Sequence, residues 1–147
     1  MASPRDLYYV AIKAFLEKDG SLFIFQDRFG DWDLPGGRIQ RHEFKKPLER
    51  ILARKIREEL GSSVRYTLRD PFVFMRHQRR EKTRGNRAVR IFAIGYRVAF
   101  QGGTVRLSRQ HTRFLWVPRR TLRASQYFTG GWRAGVEEYL RHTRRKP

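Results

Sequence analysis

Glu58 and Glu59 stand side by side near the end of LPGGRIQRHEFKKPLERILARKIREELGS, the stretch from Leu34 to Ser62. Two carboxylates at one end of a helix, aimed at a glycine turn, are the ingredients of a divalent-cation site. A dication held beside phosphate screens its charge, activates water and steadies the leaving group. The turn is Leu34-Pro35-Gly36-Gly37, where paired glycines free the backbone. Glu43 is an isolated acid between turn and helix. Taken alone, Glu58 and Glu59 read as a solvated helix end; the glycine turn is what favours a site.

Seven of the 14 acidic residues (Asp27, Asp31, Asp33, Glu43, Glu49, Glu58 and Glu59) fall between positions 27 and 59. An otherwise cationic chain therefore gathers its carboxylates around this stretch, as a metal site would require.

The elements that must position these residues follow from periodicity and turn signals. Tyr8 to Leu16 reads as a strand, and Leu22 to Gln26 as its hairpin partner across Lys18-Asp19-Gly20. Asp27 to Asp33 reads as a loop. A helix begins near Pro47, with Leu48, Ile51, Leu52, Ile56 and Leu60 as its buried stripe and Gly61 as its C-terminal cap. Val64–Leu68 and Phe72–His77 read as extended segments, and Arg76 to Arg90 as a basic loop. Val89–Phe100 reads as a long strand that turns at Gly102-Gly103 into a second hairpin with Thr104–Leu107. Phe114–Val117 is a short strand. A last helix spans Trp132 to His142, with Trp132, Val136, Tyr139 and Leu140 inward, before a basic tail at 141–147. Strands, a helix, more strands and a helix predict one α+β domain over residues 1–147, in α/β/α layers.

The 147 residues include 33 Lys and Arg, and the net charge is +19. That excess has two readings: an RNA, DNA or other polyanionic partner, or a basic solvated surface that attracts small anionic substrates. There is no cysteine, which removes disulfides, thiolate metal sites and cysteine nucleophiles. No run of 18 apolar residues is present and the N-terminal residues lack a secretory layout, so a membrane span is not expected and the cytoplasm is.

Leu34–Ser62 resembles the Nudix box, whose pattern is G-x5-E-x7-R-E-U-x-E-E-x-G-U with U aliphatic. Gly37 and Glu43 match its first half; Arg54, Ile56, Glu58, Glu59 and Gly61 match its second. The two-strand start and the segment from Leu107-Ser108 to Trp116-Val117 resemble the family's ordering, so the similarity spans nearly the whole chain. The resemblance implies an α/β/α sandwich with a mixed central sheet. It also implies Mg²⁺- or Mn²⁺-dependent cleavage of the pyrophosphate in a nucleoside diphosphate linked to another moiety. It makes Glu58 and Glu59 metal ligands, the Gly37 carbonyl a further ligand, Glu43 a partner of Arg54, and Glu58 a sharer of the base role.

Three departures bear on that implication. Ten residues separate Glu43 from Arg54 where the pattern has seven, an insertion that fits before the helix registers. Lys55 replaces the glutamate that follows the arginine. One turn before Glu59, it should point into the same site, neutralise Glu59 and weaken metal binding. The late loop, Ser108 to Arg113, has no carboxylate; Gln110 and His111 are candidates for ligand or base, surface placement being the plainer reading of each, and Glu81 is a remote substitute for the missing acid.

For substrate binding, Trp32 and Phe29 offer rings to a base or pack in the core, and Arg38 offers a phosphate contact or a solvated strand end. Arg76 and Arg79 belong to the basic loop, which binds phosphate or RNA or is simply solvated. Two functions follow: a Nudix hydrolase with weakened activity, or a catalytically impaired Nudix-fold module that holds RNA or another polyanion. Oligomeric state is left open, a homodimer included.

Overall fold

The chain is organised on β1 (Tyr9–Lys18), whose alternate residues feed two separate cores. Ile12, Ala14 and Leu16 face one side; Ala11 and Phe15 face the other. We describe the protein from a computed structural model that covers residues 2–81, 83 and 85–144. Lys82, Arg84 and tail residues 145–147 lie outside the described residues.

β1 pairs antiparallel with β2 (Ser21–Asp27) and parallel with β6 (Arg87–Gly102). On the far side of β6, β5 (Arg65–Glu81) runs antiparallel. A two-residue β3 (Trp32–Asp33) and the later β7 (His111–Pro118) both pair with β2. The sheet is therefore mixed. α1 (Leu48–Leu60) covers one face through Ile51, Leu52, Ile56 and Leu60, all at most 1% exposed. Each such side chain contributes roughly 2 kcal/mol of burial. α3 (Gly130–Arg144) covers the other face with Val136, Tyr139 and Leu140. The architecture is the expected α/β/α sandwich.

Local differences have physical causes. The glycine turn is itself a strand, β4 (Gly36–Arg38), antiparallel to β1 with Ile12 opposite Gly37 and Lys13 opposite Gly36. Gly36 has φ +138°, and a Cβ there would lie 1.9 Å from the Ile12 carbonyl oxygen, so only glycine fits. The two extended segments expected at 64–77 merge into β5, the ladder shifting register around Pro71, which cannot donate to it. Much of the expected basic loop is instead the paired end of the β5–β6 hairpin.

Thr104–Leu107 forms no strand. Gly102 and Gly103, at φ +141° and +97°, turn the chain back onto α1. There Arg106 N–H donates to the Leu60 carbonyl at 2.8 Å and Ser108 N–H to that of Glu59 at 3.3 Å, satisfying acceptors a helix end leaves open. A 3-10 turn at Arg41–Glu43 and a short α2 (Ala124–Tyr127) carry no apolar periodicity and were not expected. Among the described residues no helix is long and apolar enough to cross a membrane.

Candidate active site

Glu43 lies in the 3-10 turn with its carboxylate fully buried. It accepts the Gln40 N–H at 3.0 Å, Arg54 Nε at 2.9 Å and Arg54 Nη2 at 2.8 Å. Burial pushes its carboxyl up, but the Gln40 N–H and the Arg54 guanidinium outweigh that and hold it below the ordinary range. The three-residue insertion sits between this turn and Pro47, the N-cap of α1, so the helix keeps its register.

Arg54 also grips Glu58, one turn on, through Nη1 at 2.9 and 3.1 Å. The Glu58 side chain is 50% exposed and does not line the cleft beside Gly37. The structure thus turns Glu58 away from the place expected of a ligand or base.

Glu59 points the other way. Its carboxylate is mostly buried, and Oε1 accepts the Gly36 N–H at 2.8 Å, tying the helix end to β4. Oε2 has no protein hydrogen bond among the described residues and lies 4.0 Å from His111 Nε2. Burial pushes the Glu59 carboxyl up to about 7, opposed by the Lys13 ammonium and the Gly36 N–H. His111 does not stay at the surface: its ring stacks on Phe25 at 3.6 Å, and burial lowers its pKa. Gln110 lines the same cleft, of about 380 Å³.

Lys55 lies against the glycine turn. A Cβ on Gly37 would fall 2.4 Å from Lys55 Cε and 2.8 Å from Nζ. Its ammonium is 3.9 Å from Glu58 Oε2, and it offsets the Glu59 charge electrostatically without a contact as close as expected.

Sequence reasoning missed Lys13. It stands in the apolar run of β1, 6% exposed, and donates to both Asp33 oxygens at 2.9 and 3.0 Å and to the Leu34 carbonyl at 3.2 Å. A lysine amid Ala11, Ile12, Ala14 and Phe15 was the available signal, because a buried ammonium requires partners. Trp132 packs against the core as expected and also lines the cleft, with Lys13 Nζ 5.2 Å from its ring centroid and the His77 ring stacked at 4.4 Å. Burial lowers His77 to about 4, and its Nδ1 accepts the Gly131 N–H at 3.0 Å.

The other expected residues divide. Arg38, Phe29 and Arg79 line the cleft. Arg38 stacks on Tyr9 at 4.8 Å and pairs with Glu81, which is thereby engaged away from Glu59. Arg76 is exposed on β5 and lines neither this cleft nor its neighbour. That neighbour, about 300 Å³, shares Trp132 and Arg79 and is lined by Trp32. Trp32 already packs edge-on to Tyr127 and carries the Arg113 guanidinium over its ring at 4.9 Å.

Among the described residues few carboxylates are free for a resident Mg²⁺ or Mn²⁺. Such an ion needs about one or two carboxylates, with water and substrate phosphate making up its roughly six oxygens. Here Glu58 is held by Arg54, Glu59 has one oxygen committed to Gly36, and two ammonium groups line the same cleft. Among the described residues no three His, Cys, Asp or Glu side chains gather as a metal cluster would.

Comparison with protein-family models and with curated protein sequences returns no match. Solved structures do match. The MutT protein of Methanosarcina mazei Go1 superposes with a TM-score of 0.73 at 21% identity, over 98% of this chain and 100% of that one. A MutT Nudix hydrolase from Burkholderia pseudomallei gives 0.65 at 23% identity, over 90% and 98%. An ADP-ribose pyrophosphatase from Streptococcus suis 89-1591 gives 0.67 at 14% identity, over 94% and 93%. The chain has the Nudix hydrolase fold. Hydrolases of this fold generally use divalent metals.

Proposed function

We propose that the chain is a Nudix-type hydrolase that cleaves the pyrophosphate of a nucleoside diphosphate linked to another moiety. The observation that carries this reading is Glu59, a buried carboxylate with one oxygen anchored and the other left to a cationic cleft. The fold and the glycine framework support it.

In this reading the diphosphate lies along Gly37, between Lys55 and Lys13, with Arg38 and Arg79 at the rim. Water attacks one phosphorus and the bond to the bridging oxygen breaks, giving two phosphate products. Glu59 takes the proton of the attacking water. The ammonium and guanidinium groups offset charge on the oxygens of the transition state. The nucleoside or its partner moiety lies towards Trp132 and the adjoining cavity.

Incubation with a panel of nucleoside diphosphate derivatives, with Mg²⁺, Mn²⁺ or chelator, tests it. Product release from at least one member, lost in Glu59→Gln, is expected. No turnover of any member under any of these conditions overturns it.

One observation favours a second reading. Arg79 and Arg80 line the adjoining cavity at the paired end of the basic β5–β6 hairpin, where RNA phosphates would bind. RNA affinity that falls steeply with salt and survives Glu59→Gln supports it, and salt-insensitive or absent binding removes it.

A further inference from the structure

We propose that Lys55, beside the Asp33-paired Lys13, takes the place of a metal ion in this cleft, so that it binds a diphosphate group directly, without a dication. The inference rests on the cleft being the phosphate site of the hydrolase proposed above, and it specifies how the charge of that phosphate is met.

Three observations converge. First, the space against Gly37 is filled by a side chain. The Lys55 stem crosses it so closely that even a methyl group on Gly37 would collide with Cε and Nζ. Gly37, lacking a side chain, leaves room for the ammonium end of Lys55.

Second, the two lysines differ in how fully they are engaged. Lys13 is buried, and its ammonium is fixed by Asp33 and the Leu34 carbonyl, three contacts for three donors. Its charge is offset by the Asp33 carboxylate, and it has no donor left for a ligand. Among the described residues the Lys55 ammonium has no hydrogen bond; it approaches Glu58 Oε2 at 3.9 Å and acts electrostatically on Glu59 and His111. Its donors remain for a ligand, and its side chain is 22% exposed.

Third, the wall is cationic as a whole. Lys13, Arg28, Arg38, Lys55 and Arg79 face Asp27, Asp33 and Glu59. A cation site needs the opposite balance, since every ammonium in the wall repels the ion while few carboxylates hold it. A diphosphate finds complementary charge on entry. Ammonium groups bind phosphate oxygens as point charges, without the strict geometry a hexacoordinate ion demands.

The test is calorimetric titration of the full chain with inorganic pyrophosphate in excess EDTA and again in millimolar Mg²⁺. Binding in EDTA, changed less than about threefold by Mg²⁺, is expected. Lys55→Gln should weaken it about tenfold or more, the loss expected for one charge-assisted contact, and Lys55→Glu should make whatever binding remains depend on Mg²⁺. Lys45→Gln, an exposed lysine outside the cleft, should change it less than about twofold. Wild-type binding only in Mg²⁺, no binding in either buffer, or a Lys55→Gln affinity equal to wild type overturns the inference. The comparison of buffers needs no variant, so it stands even if a substituted protein misfolds. Failure of the hydrolase reading looks different: pyrophosphate binds in EDTA, yet the substrate panel shows no turnover.

Discussion

Two sides of one helix turn handle their carboxylates in opposite ways. On the outer side, Glu43, Arg54 and Glu58 form a closed ion network. The Glu43 carboxylate receives three donors and its carboxyl is held below the ordinary range. On the inner side, Glu59 has one anchored oxygen, one open oxygen and a carboxyl raised to about 7. Saturated hydrogen bonding makes an acid structural, whereas burial with incomplete partnering leaves it able to exchange a proton near neutral pH. The same helix register produces both, because positions 54 and 58 share one face and 55 and 59 the next.

The contrast is broken most severely at Glu59. Glu59→Gln should cost about a thousandfold in turnover, or ~4 kcal/mol of transition-state stabilisation, while far-ultraviolet circular dichroism stays unchanged. Equal loss in Glu58→Gln would erase the distinction between the two faces.

Glu43→Gln should act on stability. It leaves the Arg54 guanidinium, 19% exposed, without its main counter-charge, at a cost of about 3 kcal/mol in urea unfolding. A loss below ~1 kcal/mol would mean that Glu58 suffices to hold Arg54.

The Glu59 carboxyl gives a smaller, pH-dependent effect of opposite sign. Its folded-state pKa of about 7 lies above the 4.5 of an unfolded chain, so the folded state favours the protonated form. The resulting penalty is absent below about pH 4.5, grows as the pH rises and is complete above about 7. Glu59→Gln should therefore stabilise the protein by about 2 kcal/mol more at pH 8 than at pH 5. Unfolding at the two pH values measures the difference; no difference would show that Glu59 is ionised without penalty. Glu58→Gln, at a half-exposed pair, should shift stability by less than about 0.5 kcal/mol at either pH.

Much of this was legible in the sequence because it depends on local pattern. The apolar stripe of α1 placed Glu58 and Glu59 at a helix end, and the Gly36-Gly37 pair marked a turn with a free backbone beside them. The Glu43–Arg54 pairing followed from the motif and is present in the structure. What escaped depends on tertiary placement. Nothing in sequence spacing brings Lys13 to Asp33, or His111 onto Phe25, since those contacts are made by strand pairing across 20 and 86 residues. The orientation of Glu58 was lost for another reason: two adjacent acids look alike in a sequence, and only Arg54 decides which of them is drawn outward. The fate of Thr104–Leu107 turned on two left-handed glycines that steer the chain onto the helix end instead of into a hairpin.

The central claim is that Glu59, in a cleft lined by lysines and arginines, makes this chain a pyrophosphate hydrolase. Product release by wild type and Glu59→Gln, from a panel of nucleoside diphosphate derivatives at pH 8, tests it most directly, with Mg²⁺, Mn²⁺ or chelator present. Expected is cleavage of at least one member by the wild type and about a thousandfold less by the variant. A wild type inert towards every member in all three conditions, or a variant as active as the wild type, contradicts it.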